Sequence, residues 1–286
     1  MTFLSFSVSL LEPSVNTLLA LLKNSPVVIV VLFFFLVWAI FWLPIAVISS
    51  SILKFQNGES LQSEQKIPLL VSLYLLAPLV IWIFHWLGFG TFADDGLVSS
   101  FSILISLLIG LSLGLLGLVI VFAGQLWLGW CYLETSKLKA IPSILLPISL
   151  IALFVGAIEE LVFRGFLFTT LEKDYPFWLA AIISSLIFAI LHLVWEQKET
   201  IPQLPGLWLM GMILVVARLA DSHHLGIAWG LHAGWIWAIA TIDTAELITY
   251  TGKVSEWVTG KNKKPLAGLT GVLCVFMTGL VLMWFY

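Results

Sequence analysis

Two glutamates and an arginine interrupt an otherwise apolar stretch of the chain, IALFVGAIEELVFRGFLF. They are Glu159, Glu160 and Arg164, and a charge at the centre of a membrane helix costs about 2.5 to 3.5 kcal/mol on insertion scales. Glu160 and Arg164 are four residues apart, so they share a helix face and can pair. Glu159 is rotated by about 100° from Glu160 and lies outside that pairing. The pattern predicts a reaction centre, because charges inside membrane helices are functional by default; the alternative is an ion pair that only orients helices.

Two histidines on later apolar stretches are candidate partners of Glu159. Phe188 and His192 lie one turn apart in SSLIFAILHL, and His232 lies in WGLHAGWIW. Glu159 lies 15 residues before the polar break at Asp174, and His192 lies 18 residues after it. Two antiparallel helices that meet at this break would hold both side chains at a similar depth, some 20 to 27 Å from it. His232 fits less well, since it lies only about a turn or two after the preceding loop. Either that loop dips into the membrane or the helix boundaries differ there.

The composition indicates which elements position these residues. Hydrophobic residues make up 60% of the 286 positions and charged residues 10%, whereas soluble domains carry about 45–50% and about 25%. This balance argues against a water-soluble fold. It predicts an all-α, polytopic membrane helical bundle with about eight transmembrane helices. The predicted spans are roughly 27–52, 67–88, 100–128, 141–170, 176–195, 204–220, 225–243 and 266–286.

The remaining sequence features set the expected organisation of the chain. Residues 1–26 are predicted to form an amino-terminal interfacial segment, and residues 27–286 a single transmembrane domain. In the third span, the Gly and Ser residues of SLLIGLSLGLLG would permit close helix packing. The net charge of −3 and the scattered Lys and Arg residues do not suggest a nucleic-acid partner. Cys131 and Cys274 are far apart and support neither a disulfide framework nor a thiolate metal site.

At its buried charges, the chain resembles the CPBP family of intramembrane endopeptidases, the CAAX protease and bacteriocin-processing family. The family pattern is EExxxR, then FxxxH, then HxxxN. The first two motifs are filled by Glu159, Glu160, Arg164, Phe188 and His192. In the third motif, His232 is followed four residues later by Ile236, where the family places a polar residue. The resemblance spans about residues 141–243, which are the expected catalytic core.

The resemblance implies an intramembrane endopeptidase that hydrolyses a peptide bond of a membrane-associated substrate. Glu159 would be the general base that activates water, with His192 helping to hold that water. Glu160 would anchor Arg164, and His232 would donate to the developing oxyanion or hold a metal. The implied partners are a peptide or protein substrate and the lipid bilayer. The implied location is a bacterial cell membrane or an organelle membrane.

Two further expectations come with the resemblance. Phe188 of the second motif is expected to contact the substrate. A divalent metal such as zinc stays open as a cofactor, because Glu159, His192 and His232 offer a His/Glu ligand set with one open position. A metal-free, glutamate-based reaction would use the same residues. The chain has no HExxH motif, so the usual zinc-protease geometry gives no support.

Two other classes of function compete with the protease. A noncatalytic membrane interaction or immunity protein on the same fold is suggested by Ile236, which replaces the family's polar residue. A transporter or channel could use the same buried charges as an ion or proton path. However, the sequence shows no pair of interrupted helices and no repeat halves of the kind that transporters use.

Overall fold

Eight long helices follow the eight apolar stretches in the computed structural model, which describes residues 16–53, 63–194 and 197–285. These helices are α1 (Val27–Ile52), α2 (Ser63–Trp86), α3 (Phe101–Trp127), α4 (Ile141–Glu160), α5 (Phe177–Leu191), α6 (Leu204–Ala220), α7 (Gly226–Thr244) and α8 (Leu269–Phe285). Two short strands, β1 (Cys131–Leu133) and β2 (Ile248–Tyr250), pair antiparallel. Short helical turns complete the connections at Thr135–Ala140, Phe168–Leu171, His192–Val194, Gln197–Thr200, Ile201–Gln203, Glu256–Thr259, Lys261–Lys263 and Pro265–Ala267.

Most of these helices are suited to a bilayer. Within the described residues, six helical runs are long and apolar enough to cross a membrane by length and composition. They correspond to α1 to α6, and the fourth run extends over Thr135–Leu171. α8 is a shorter apolar helix, and α7 carries His232 together with several Trp and Gly residues. The predicted all-α, multi-pass membrane bundle is therefore confirmed, while the predicted count of eight spans is approximate.

The chain divides into two compact units. The first contains the residues up to Thr91 and Thr169–Tyr175, and the second contains Phe92–Phe168 and the residues from Pro176 onward. In the first unit, Phe34 of α1 meets Phe84 of α2 edge-on, with ring centroids 5.5 Å apart. The predicted interfacial segment begins outside the described residues, and residues 16–23 of it form a helix. Its interfacial placement and the domain boundaries drawn from the sequence stay predictions.

In the second unit, the fourth helical run contains a π-helical turn, Leu161–Leu167, that directly follows the two glutamates. At its end, the N–H of Phe168 donates to the carbonyl of Phe163, five residues earlier. Such turns are rare, and they occur frequently at functional sites. Arg164 lies inside this turn, so its backbone follows a different path from that of a regular α-helix.

Glycines bring α3 and α7 into close contact in the second unit. A Cβ atom on Gly110 of α3 would overlap the carbonyl oxygen of Ile227, and one on Gly230 of α7 would overlap that of Leu107. Backbones this close need residues without side chains at the crossing, as in other membrane helix pairs. The close packing predicted for the third span is confirmed, and α7 is the helix that carries His232.

Gly230→Ala is expected to destabilise the protein by about 1–3 kcal/mol, because a methyl group there overlaps the backbone of α3. Gly124→Ala is the matched control, since a Cβ atom on that α3 glycine meets no atom within 4 Å. The control is expected to be neutral or to stabilise by up to about 1 kcal/mol, because alanine favours a helix. Thermal unfolding of both variants in detergent measures the difference. Equal unfolding temperatures would contradict the packing role.

Candidate active site

The buried charges cluster where α4 ends and the π-helical turn begins. Glu160 and Arg164 are completely buried, and Glu159 is 7% exposed. Nη1 of Arg164 donates to Oε1 of Glu160 at 3.1 Å. The ion pair expected from their spacing is therefore present, and both of its residues are buried in the protein interior.

His232 of α7 joins both glutamates. Its Nδ1 lies 2.7 Å from Oε1 of Glu160, and its Nε2 lies 3.6 Å from Oε2 of Glu159. The carboxylate of Glu160 already accepts from Arg164 and can only accept from the imidazole as well, so Nδ1 of His232 carries the proton. Nε2 then faces Glu159 at a distance that is too long for a hydrogen bond but allows an electrostatic contact.

Arg218 links the end of α6 to the buried cluster. α6 ends at Ala220, and Arg218 in its last turn donates to the backbone carbonyl of Arg164. This contact connects the end of α6, just before the α6–α7 loop, with the π-helical turn. Whether the loop dips into the membrane, the first of the two alternatives from the sequence, stays a prediction.

Phe188 of α5 lies at the centre of the cluster. Its side chain is completely buried, and Cζ of Arg164 lies 4.2 Å from its ring centroid. The rings of His192 and His232 meet it at 4.6 and 6.0 Å. Phe188 thus orders three of the polar groups by packing. It is not among the residues that line the neighbouring cavity, so its expected contact with substrate stays a prediction.

His192 lies directly after the last residue of α5 and is half-buried. Its Nδ1 lies 2.8 Å from the carbonyl oxygen of Phe188. Because a carbonyl only accepts, Nδ1 carries the proton, and in the neutral ring Nε2 is left as an acceptor. The side chain lines the same cavity as Glu159 and His232, so the three residues expected to act together share one space.

That cavity has a volume of about 360 Å³ and walls that are mostly apolar. Its walls come from α3, α4, α6, α7 and α8 and from the segment before α8. Ile236 lies on the wall one turn after His232, with Ile239 beyond it. The departure from the HxxxN pattern therefore places an aliphatic side chain in the cavity itself.

The possible metal ligands Glu159, His192 and His232 are not arranged as a metal site in this structure. Among the described residues, no three His, Cys, Asp or Glu side chains converge closely enough to hold one metal ion. His232 and Glu159 approach each other, but Nδ1 of His232 is engaged by Glu160. The zinc set of Glu159, His192 and His232 stays a prediction.

Two residues of the site were not singled out from the sequence. Ser184 of α5 is completely buried and donates from Oγ to the carbonyl of Phe163 at 2.7 Å. Arg218 is 3% exposed and binds the carbonyl of Arg164. The sequence contains a signal for Arg218, because it is a charged residue near the end of an apolar span. No pattern of spacing marks Ser184, because its partner lies 21 residues away.

Comparison with known proteins adds an independent observation. Residues 141–238 match the family model "Type II CAAX prenyl endopeptidase Rce1-like", and this segment contains every residue of the cluster described above. A curated Escherichia coli protein named "Uncharacterized 24.3 kDa protein" is 33% identical over 86 residues, which are 29% of this chain. The match covers 38% of that relative's length. No solved structure matches the chain. The family match confirms the resemblance that the first two motifs indicated.

Proposed function

Because residues 141–238 match the family model of Rce1-like type II CAAX prenyl endopeptidases, we propose that this protein is an intramembrane endopeptidase that uses a glutamate-activated water. The observation that carries the proposal is the shared cavity of Glu159, His192 and His232. Two buried carboxyl groups beside two imidazoles offer both a base for water and a donor for an oxyanion. A membrane-associated peptide is the substrate class that such a site would take, since the walls around it are mostly apolar.

Glu159 is the proposed general base. A water molecule in the cavity gives a proton to its carboxylate, and the resulting hydroxide attacks the carbonyl carbon of the scissile peptide bond. His192 supports this step, because its Nε2 can accept a hydrogen bond from the same water while Nδ1 is held by the carbonyl of Phe188. When the tetrahedral intermediate collapses, Glu159 passes its proton to the leaving amine.

His232 is the proposed oxyanion donor, with Glu160 as the group that positions it. Oε1 of Glu160 accepts from both Nδ1 of His232 and Nη1 of Arg164. This double contact holds the imidazole at one angle, so a protonated Nε2 would donate to the negative oxygen of the intermediate. Phe188 is proposed to position the ring by packing, since it is buried against His192 and His232.

The experiment that tests the proposal compares cleavage by the purified wild-type protein and by Glu159→Ala in lipid vesicles. Membrane proteins from cells that contain either form are first compared for uncut precursors, and peptides from these precursors become the substrates. Wild-type cleavage that disappears in Glu159→Ala supports the proposal. If folded Glu159→Ala cleaves as fast as the wild type, Glu159 is not the base.

A noncatalytic interaction protein is the second candidate, because Ile236 presents an aliphatic side chain on the cavity wall. This candidate requires that the wild-type protein does not cleave. The proposed enzyme predicts wild-type cleavage and a faster reaction for Ile236→Asn, by up to about 10²-fold, if the amide adds an oxyanion donor.

The matched control is Ile239→Asn, which places the same amide on the same wall one turn further from His232. It is expected to leave the rate at or below that of the wild type. A protein that cleaves only as Ile236→Asn is a degenerate enzyme, and that result would replace the proposed function by the noncatalytic one. Initial rates on the precursor peptides provide the measurement.

A further inference from the structure

The chain contains only two arginines among its 13 basic Lys and Arg residues, and the two are in contact. Arg164 belongs to the cluster described above. Arg218, near the end of α6, is 3% exposed and is not part of the three motifs. A buried guanidinium must be matched by acceptors, because an unpaired buried charge is strongly unfavourable.

The three nitrogens of the Arg218 guanidinium donate hydrogen bonds to three different segments. Nη1 donates to the carbonyl of Arg164, Nη2 to the carbonyl of Asp94 at 2.9 Å, and Nε to the carbonyl of His223 at 3.0 Å. The guanidinium also lies 5.4 Å from the ring centroid of Phe168. A planar fork of fixed donors suits such a junction, and the single ammonium of lysine does not reproduce it.

Two of these segments carry unusual backbone. Arg164 lies in the π-helical turn, in which the carbonyl of Phe163 also accepts a hydrogen bond from Ser184. His223 lies in the α6–α7 loop with a φ of 68°, a left-handed conformation that non-glycine residues adopt only when the surroundings support it. Arg218 is therefore bound where both the π-helical turn and the loop need support.

We propose that Arg218 is a positioning residue of the reaction centre, a role that rests on the proposed function. It fixes the position of the π-helical turn, which carries Arg164, relative to the loop before α7. The helix α7 carries His232. Glu160 can contact Arg164 and His232 together only when these two segments keep that relative position. Arg218 does not line the cavity and acts only through these neighbours.

Arg218→Met and Arg218→Lys test this role in the full-length protein in lipid vesicles. Arg218→Met is expected to lower kcat by about 10²-fold, the scale of a misplacement of about 1 Å at a reaction centre. KM is expected to stay within about twofold, because no residue that lines the cavity is replaced. Arg218→Lys keeps the charge and recovers part of kcat. Lys139→Met, at an exposed lysine, is the control for charge loss and keeps the wild-type rate.

Ser184→Ala provides a second readout, because Ser184 supports the same π-helical turn from α5. The effects of Ser184→Ala and Arg218→Met on kcat are expected to be non-additive, as for residues that act on one shared element. Additive effects, or a fall in thermal stability with kcat unchanged, would show that Arg218 has only a structural role.

A third measurement does not depend on proteolysis. Hydrogen exchange followed by mass spectrometry is expected to show faster exchange over residues 161–168 in Arg218→Met and, to a smaller degree, in Arg218→Lys. If the wild type does not cleave, the proposed function fails. The exchange measurement still shows whether Arg218 positions the π-helical turn. Unchanged exchange over residues 161–168 in both variants would overturn the inference.

Discussion

Glu159→Gln is expected to reduce kcat by about 10²–10⁴-fold, the range attributed to a general base. Glutamine keeps the size of the side chain and cannot take a proton from water. The fold is expected to survive, because the guanidinium of Arg164 keeps its hydrogen bond to Glu160. Single-turnover cleavage of a precursor peptide in vesicles measures the loss, and thermal unfolding confirms that the variant is folded.

The control for Glu159→Gln is Glu246→Gln. Glu246 is an exposed carboxylate that pairs with Lys137 at 2.7 Å, and that hydrogen bond lowers the pKa of its carboxyl group. It lies outside the apolar cavity of Glu159, so its neutral variant is expected to cleave at the wild-type rate. A folded Glu159→Gln protein that keeps its full kcat would rule out this residue as the base.

Arg164→Met is expected to destabilise the protein by about 3–5 kcal/mol, because it leaves the carboxylate of Glu160 buried without its guanidinium partner. Both side chains are completely buried, so water cannot replace the lost partner. The same change is expected to abolish cleavage, since Glu160 also positions His232. Thermal unfolding in detergent and peptide cleavage measure the two effects separately.

The double variant Glu160→Gln/Arg164→Met separates stability from activity. Removing both charges takes away the buried carboxylate that has lost its guanidinium partner, so much of the lost stability is expected to return. Cleavage is expected to stay absent, because an amide cannot hold His232 as an ionised carboxylate does. If the double variant is less stable than Arg164→Met alone, the ion pair is not the source of the destabilisation.

Local spacing was enough to predict one part of the site. Glu160 and Arg164 are four residues apart on one helix, so their contact depends only on helical geometry. The common cavity of Glu159 and His192 also agrees with counting from the turn between their helices. Both results depend on elements adjacent in the chain, where rise per residue is sufficient.

The position of His232 could not be predicted by counting residues from a turn. Its position depends on the α6–α7 loop, which Arg218 binds at His223 while also binding Asp94, 124 positions away from Arg218. The close approach of α7 to α3 through their glycines contributes as well. The π-helical turn has no signature in spacing, because its backbone is supported by side chains from other helices.

The amino-acid sequence by itself determined that the chain is a multi-pass membrane bundle and that Glu159, Glu160 and Arg164 form its charged centre. Apolar length and helical periodicity are local properties of the sequence. They predict membrane helices because the core of a bilayer requires long apolar segments whose backbone hydrogen bonds are internal. Only the tertiary structure decided that His232 bridges the two glutamates, that Ile236 lies on the cavity wall and that Arg218 joins three segments. These facts arise from contacts between distant parts of the chain, which helix length and hydrophobicity do not specify.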